Sequence, residues 1–245
     1  MKILCIVQAR MGSERLPGKV MKEVLGIPMI TYTLDRLKRS RYIDEIVLAT
    51  SDRTTEESMV DYLMNHDCKV FRGSENNVLK RYIDAIHEFG GDIIIRVTGD
   101  CPLIDPVMLD HVVSCYLTSC YDYVGVDTLN YNYIRGLDVE VFSRESLERV
   151  YTIVKDAEEK SPYKEHVTYY MYQHPEEFKV FQLLASPFHR KDYRLCVDTI
   201  EDFTLINHIY EHFQDKQVPI AKVIDYLDEH PEIAAINRAI HQKIV

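Results

Sequence analysis

The chain has 245 residues, of which 46% are hydrophobic and 28% charged, enough apolar mass for one large α/β domain and too much for a disordered chain. The formal net charge of −10 argues against a general nucleic-acid or membrane-surface binder, and neither partner is expected. Cys5, Cys68, Cys101, Cys115, Cys120 and Cys196 form no C-x-x-C pair, no apolar run approaches the roughly 18 residues of a membrane span, and no signal-like segment opens the chain, so a cytoplasmic protein with reduced, mostly buried thiols is expected.

Ile3–Val7 is short and β-branched, which reads as a buried parallel strand. It breaks into a polar loop holding Ala9, Arg10, Gly12, Ser13, Arg15, Gly18 and Lys19. The glycines let backbone approach a ligand, and exposed N–H groups bind phosphate oxygens. Arg10 and Arg15 can fork onto phosphates, and Lys19 adds a point charge. A cluster of cations at the end of an opening strand stands out in an acidic chain. The loop is not a G-x-x-x-x-G-K-[ST] fingerprint, because Val20 follows Lys19, and it has no G-x-G-x-x-G.

Pro28–Arg39 has apolar residues at helical spacing, and Glu45–Thr50 is a second buried strand. Thr54–His66 reads as a helix with Thr54 or Thr55 as its N-cap. Lys69–Phe71 is a short strand, Asn76–Phe89 a helix stopped by Gly90-Gly91, and Asp92–Val97 a third strong strand. Pro106–Leu117 is a helix with proline in its first turn. These repeated βα units predict an α/β fold with a doubly wound, mostly parallel, Rossmann-like sheet. Asp122–Val126 and Leu137–Phe142 read as strands, and Arg144 to about Lys155 as a helix. Lys179–Leu184 and Tyr193–Val197 are further expected strands. Thr199 opens a helix over Glu201–Phe213, and Pro219–Asp228 is another. No linker divides residues 1–245, so one domain is expected, with the stretch near 130–190 as an inserted appendage.

Several polar residues fall where strands end. Asp100 follows a buried strand at its carboxyl end, where open α/β sheets place their sites, and is a good Mg²⁺ ligand. Asp105 precedes Pro106 and reads as a helix cap. Asp198 ends the expected strand at 193–197 and is a second candidate metal ligand, while Glu201 and Asp202 suit a helix start. Arg72 and Ser74 lie where a base or ribose can sit. Asp138 and Glu140 share one face of an expected strand, as candidate sugar contacts or as the solvent face of an edge strand. Tyr131, Tyr133, Tyr163, Tyr169, Tyr170 and Tyr172 concentrate in the appendage, which suits a subunit interface or a sugar-binding wall.

Gln8-Ala-Arg-Met-Gly-Ser-Glu-Arg-Leu-Pro-Gly-Lys19 resembles the signature loop of the CMP-sugar cytidylyltransferases, the acylneuraminate and CMP-KDO synthetase-like enzymes. The nearest branch is that named for spore coat polysaccharide biosynthesis. Thr98-Gly-Asp-Cys-Pro-Leu-Ile-Asp-Pro106 is similar to the family's G-D-x-P-L-I segment, and Asp198-Thr-Ile-Glu-Asp-Phe203 to its D-T-x-E-D-[LF] element. Cys101 stands where the KDO branch has glutamate, which places the chain nearer the spore-coat branch than the KDO branch. The resemblance implies a nucleotide-diphospho-sugar transferase fold and transfer of CMP from CTP to an acidic or modified sugar, with release of pyrophosphate. It implies Mg²⁺ on Asp100 and Asp198, phosphates on Arg10, Arg15 and Lys19, nucleotide contacts near Arg72 and Ser74, a homodimer formed through the appendage and, because Glu165-His166-Val-Thr168 is similar to a segment of the spore-coat branch, His166 as a candidate substrate contact or a residue of interface packing. Two alternatives stay open: a nucleotidyltransferase using another nucleotide or a phosphate- or phosphonate-bearing acceptor, and a metal-dependent glycosyltransferase, though Asp100-Cys-Pro lacks the D-x-D second aspartate.

Overall fold

Strand β1 (Ile3–Gln8) sends Ile3, Cys5 and Val7 into one core and Leu4 and Ile6 into another. Its uninterrupted apolar run reflects this burial on both faces. The structure, a computed structural model, describes residues 1–126, 133–158 and 161–241. A short hairpin, β2 (Glu23–Val24) and β3 (Ile27–Pro28), leads into α1 (Met29–Leu37). The βα alternation continues through β4 (Glu45–Ser51), α2 (Glu57–Met64), β5 (Lys69–Gly73), α3 (Val78–Phe89), β6 (Ile93–Thr98) and α4 (Pro106–Leu117). Then come β7 (Tyr123–Val126), β8 (Glu140–Ser143), α5 (Arg144–Val154), α6 (Pro162–Glu165), α7 (Tyr169–Gln173) and β9 (Val180–Leu183). The chain closes with α8 (Ile200–Phe213), α9 (Ile220–Glu229) and α10 (Pro231–Ala234).

The central sheet has 7 strands in the order β5-β4-β1-β6-β8-β7-β9. β5, β4, β1 and β6 are parallel, and β8 runs antiparallel to both β6 and β7. β9 lies parallel to β7 at the edge. The expected doubly wound, mostly parallel sheet is therefore present. Helices α1, α4, α8 and α9 cover one face and α3, α5 and α7 the other. Each fully buried Leu or Ile on these faces is worth about 1.5–3 kcal/mol of apolar transfer. From β1 the chain first builds outward to β5 and then returns to the other side of β1 with β6. The carboxyl ends of β1 and β6 thus form the switch point, with Gln8 in register with Thr98.

Four local expectations are corrected. Thr54 and Thr55 do not cap a helix; Thr54–Glu56 is a single 3-10 turn without a side-chain cap, and α2 starts at Glu57. Leu137–Phe142 is a strand only from Glu140, where the ladders with β6 and β7 begin among the described residues; before it, Val139 gives only its carbonyl to Val126 N, at 3.3 Å. Among the described residues, Tyr193–Val197 joins no sheet; it makes an isolated bridge from Arg194 to Arg135 and a bond from Val197 N to the Asp100 carbonyl. Its alternation is real, since Leu195 and Val197 are fully buried, but no strand lies alongside it. The thiols are all free, yet only Cys5 and Cys101 are buried, and Cys120 is exposed. Within the 130–190 stretch, β8 sits between β6 and β7 and β9 closes the edge, so two strands tie this stretch to the main sheet. Among the described residues, no helix is long and apolar enough to cross a membrane.

Candidate active site

The first loop is held in shape by its own backbone. The Met11 carbonyl accepts from both Ser13 N and Gly18 N, each at 2.9 Å. Gly18, at φ 67, makes the left-handed turn that starts the 3-10 turn Lys19–Met21. From the other side, the buried Glu56 carboxylate accepts from Met11 N and Thr50 Oγ1, both at 2.9 Å.

Lys19 then reaches two aspartates from distant parts of the chain. Its Nζ donates to Asp100 Oδ2 at 2.6 Å and to Asp198 Oδ1 at 2.8 Å. Two oxygens sharing one ammonium lie no farther apart than the sum of those distances. That is well within the roughly 8 Å span of direct or water-bridged ligation to one ion. Arg15 pairs with Asp198 Oδ2 at 2.9 Å, and Arg194 donates to the same oxygen. The two aspartate loops are also tied directly, through Val197 N to the Asp100 carbonyl at 2.9 Å. Asp198 is therefore placed by its bonds to the β6 loop and not by a strand of its own.

The electrostatics follow from this crowding. Burial by itself pulls the Lys19 ammonium down, but the charges of Asp100 and Asp198 outweigh it and hold it above the ordinary lysine value. Burial pushes the Asp198 carboxyl up, but Lys19, Arg15 and Arg194 hold it below the usual carboxylate range. Both groups are thus charged at neutral pH. Ala9, Arg10, Ser13, Arg15, Lys19, Asp100 and Asp198 line one cavity of about 320 Å³, together with Gln8, Glu14, Thr98 and Glu165. A second cavity of about 370 Å³ adjoins it, sharing Gln8, Arg10 and Glu165 and adding Glu75, Asn76 and Arg81.

A cytidylyltransferase family model matches residues 4–227, spanning all of this machinery. The chain belongs to the cytidylyltransferase family. It is 39% identical over 244 residues to the uncharacterized protein MJ1063 of Methanocaldococcus jannaschii, covering 99% of this chain and 97% of that one. It is 34% identical to the spore coat polysaccharide biosynthesis protein SpsF of Bacillus subtilis, covering 97% of this chain and 98% of SpsF. The solved structure of a cytidylyltransferase from Leptospira borgpetersenii superposes with a TM-score of 0.87 at 31% identity, covering 100% of this chain and 99% of that one.

Other candidate residues of this cytidylyltransferase are placed differently. Gly12 is exposed beside the cavity and is not part of its lining. Arg72 donates to the carbonyls of Asp52 and Arg53, and Ser74 Oγ accepts from Asn77 N, so neither lines the two cavities. Asp138 precedes β8 and accepts from Gly136 N at 2.8 Å. Glu140 spends its carboxylate on Arg96, at 2.7 Å, and Thr168, at 2.5 Å. His166 is half-buried against Tyr169, and burial leads the effects that lower its pKa. Its neighbour Glu165 is the residue of that segment that lines both cavities. Tyr163, Tyr169, Tyr170 and Tyr172 pack on one another and on Tyr123, His166, His174 and Phe178, and Tyr133 is buried against Met108; Tyr131 lies outside the described residues. Asp105 and Thr199 cap α4 and α8 as expected. Sequence reasoning missed Gln8, Glu56 and Arg194, whose signal is only their spatial partners.

Gly136 braces the Asp198 segment. Its φ is 94, and a Cβ there would stand 2.5 Å from the Leu195 carbonyl carbon and 2.6 Å from Cys196 N. Gly136→Ala is expected to destabilise the protein by on the order of 3 kcal/mol, combining backbone strain and overpacking. A urea melt showing a loss below about 1 kcal/mol would mean that the segment yields easily.

Proposed function

We propose that this cytidylyltransferase transfers CMP from CTP to a hydroxyl of an acidic or modified sugar, releasing pyrophosphate, in the synthesis of a surface polysaccharide or glycan. The reading rests on one observation: Asp100 and Asp198 meet Lys19 and Arg15 in a single cleft at the switch point of the sheet. The likeness to a spore coat polysaccharide biosynthesis protein supports the sugar acceptor.

The donor set suits Mg²⁺. The described residues offer no cluster of three or more His, Cys, Asp or Glu ligands, but Mg²⁺ needs only one or two carboxylates beside phosphates and water. Asp100 and Asp198 would hold it, and when bound it supplies charge stabilisation at the α-phosphate and the departing pyrophosphate. Arg10, Arg15 and Lys19 bind the β- and γ-phosphates. Arg15 and Lys19 therefore exchange carboxylate partners for phosphate partners as the nucleotide enters. The sugar oxygen forms a bond to the α-phosphorus, the bond to the bridging oxygen breaks, and pyrophosphate leaves with the electron pair. The hydroxyl proton passes to water. The adjoining cavity, with Asn76 and Arg81, is the place for base and ribose.

Pyrophosphate release measured with each of the four ribonucleotides against a panel of nonulosonic acids and other sugars tests this directly. Release with CTP and a sugar acid supports the reading, and release with another nucleotide or a phosphonate acceptor replaces it.

The same reading includes a homodimer. At the sheet edge, β9 is flanked by Leu184, 59% exposed, and Phe188, 38% exposed. An unpaired edge strand with apolar neighbours is a natural two-fold contact. Light scattering is expected to give a dimer, and Leu184→Asp with Phe188→Asp a monomer. A wild-type monomer at working concentration removes the dimer from the proposal.

A further inference from the structure

We propose that Arg194 and Asn237 are positioning residues for Asp198, forming a buried clamp that turns one of its carboxylate oxygens toward Lys19 and Asp100. The inference rests on the metal-holding role proposed for Asp198. Among the described residues, 193–197 belong to no sheet, and the bond from Val197 N to the Asp100 carbonyl fixes the backbone before Asp198 but not the direction of its carboxylate. The side chains beneath it set that direction. Asp202 is completely buried, and its Oδ2 accepts from the backbone N–H groups of Asp198 at 2.9 Å and Thr199 at 3.0 Å. Its Oδ1 accepts from Arg194 Nε at 3.0 Å and from Asn237 Nδ2 at 2.8 Å. Arg194, 7% exposed, extends its fork to Asp198 Oδ2. Asn237, 2% exposed, also donates to the Arg194 carbonyl at 2.9 Å, closing the ring.

Helix capping requires only Asp202 Oδ2. The partners of Oδ1 serve another purpose: through the planar guanidinium they determine where Asp198 points. With Oδ2 held by Arg194, Oδ1 remains the oxygen directed at Lys19, opposite Asp100 Oδ2. The arrangement outlasts any exchange of partners by Lys19 and Arg15, because Arg194 is fixed from below. Asn237 lies beyond residue 227, where the family match ends, so this chain's C-terminal segment contributes to the placement of the site.

The test uses the full-length protein with Asn237→Leu and Arg194→Lys, the latter keeping the charge but not the fork. Mn²⁺ binding, alone and with CTP, is followed by electron paramagnetic resonance beside thermal melting. Loss of an outer partner of a metal ligand weakens metal binding by about tenfold or more. Arg194→Lys, which removes the fork that touches Asp198, is expected to do so, and Asn237→Leu, one bond further out, to do so by about severalfold; each is expected to raise the metal concentration needed for half-maximal rate by a similar factor and to leave KM for CTP at saturating metal within about twofold. If Asn237→Leu does not fold, Arg194→Lys is read by the same measures. A lowered melting temperature with unchanged Mn²⁺ affinity overturns the clamp, as does wild-type Mn²⁺ binding no tighter than that of Asp198→Asn. Failure to release pyrophosphate from CTP while the variants lose Mn²⁺ affinity overturns the functional reading and leaves the clamp standing.

Discussion

Asp100→Asn and Asp198→Asn are each expected to lower turnover by about two to four powers of ten, the scale of losing an electrostatic contact made in the transition state. Each substitution keeps the side chain's shape and removes its charge. The double variant is expected to be little worse than either single one, because the two carboxylates act on one ion and their effects are not additive. The aspartates differ in surroundings. Asp100 has one ammonium beside it, whereas Asp198 answers to Lys19, Arg15 and Arg194. Asp198→Asn therefore also leaves Arg15 and Arg194 short of a counter-charge and is expected to lower the melting temperature more than Asp100→Asn. Initial rates of pyrophosphate release at saturating metal, with melting curves on the same samples, check both statements. A rate within tenfold of wild type for either variant would remove that aspartate from the chemistry.

Lys19→Ala is expected to reduce kcat/KM for CTP by about two to three powers of ten, and Arg15→Ala by about one to two. The order follows from position. The Lys19 side chain is 11% exposed and touches both aspartates, whereas the Arg15 side chain is 29% exposed and touches one. Lys19→Ala also leaves two carboxylates facing each other without a cation between them. It is expected to lower stability and, in the absence of nucleotide, to bind Mn²⁺ more tightly than wild type, since the metal then relieves the repulsion. Steady-state kinetics in CTP and Mn²⁺ titration of the apoprotein provide the two readouts. A Lys19→Ala protein with wild-type kcat/KM would show that the lysine is structural only.

The strands β1, β4 and β6 were legible in the chain because each is an apolar run buried on both faces, and the parallel sheet followed from the helices between them. The residues that meet in the cleft were legible for a similar reason: polar groups that interrupt a strand's carboxyl end announce themselves locally, as Arg10, Lys19 and Asp100 do. The β2–β3 hairpin was not, because Leu25 turns it at a positive φ of 49 without the Asn or Asp that usually marks such a turn. Nor was the insertion of antiparallel β8 between β6 and β7, since Glu140–Ser143 carries no mark of its neighbours or direction. Arg72 and Arg194 look alike in the sequence, yet one holds surface carbonyls and the other grips Asp198 and Asp202. What the sequence by itself determined is which segments are buried and which loops carry chemistry, because periodicity and composition are local. Which aspartate meets Lys19, and which asparagine closes the ring beneath it, only the tertiary structure decided, because those contacts join residues far apart in the chain and depend on how the loops descend from the sheet.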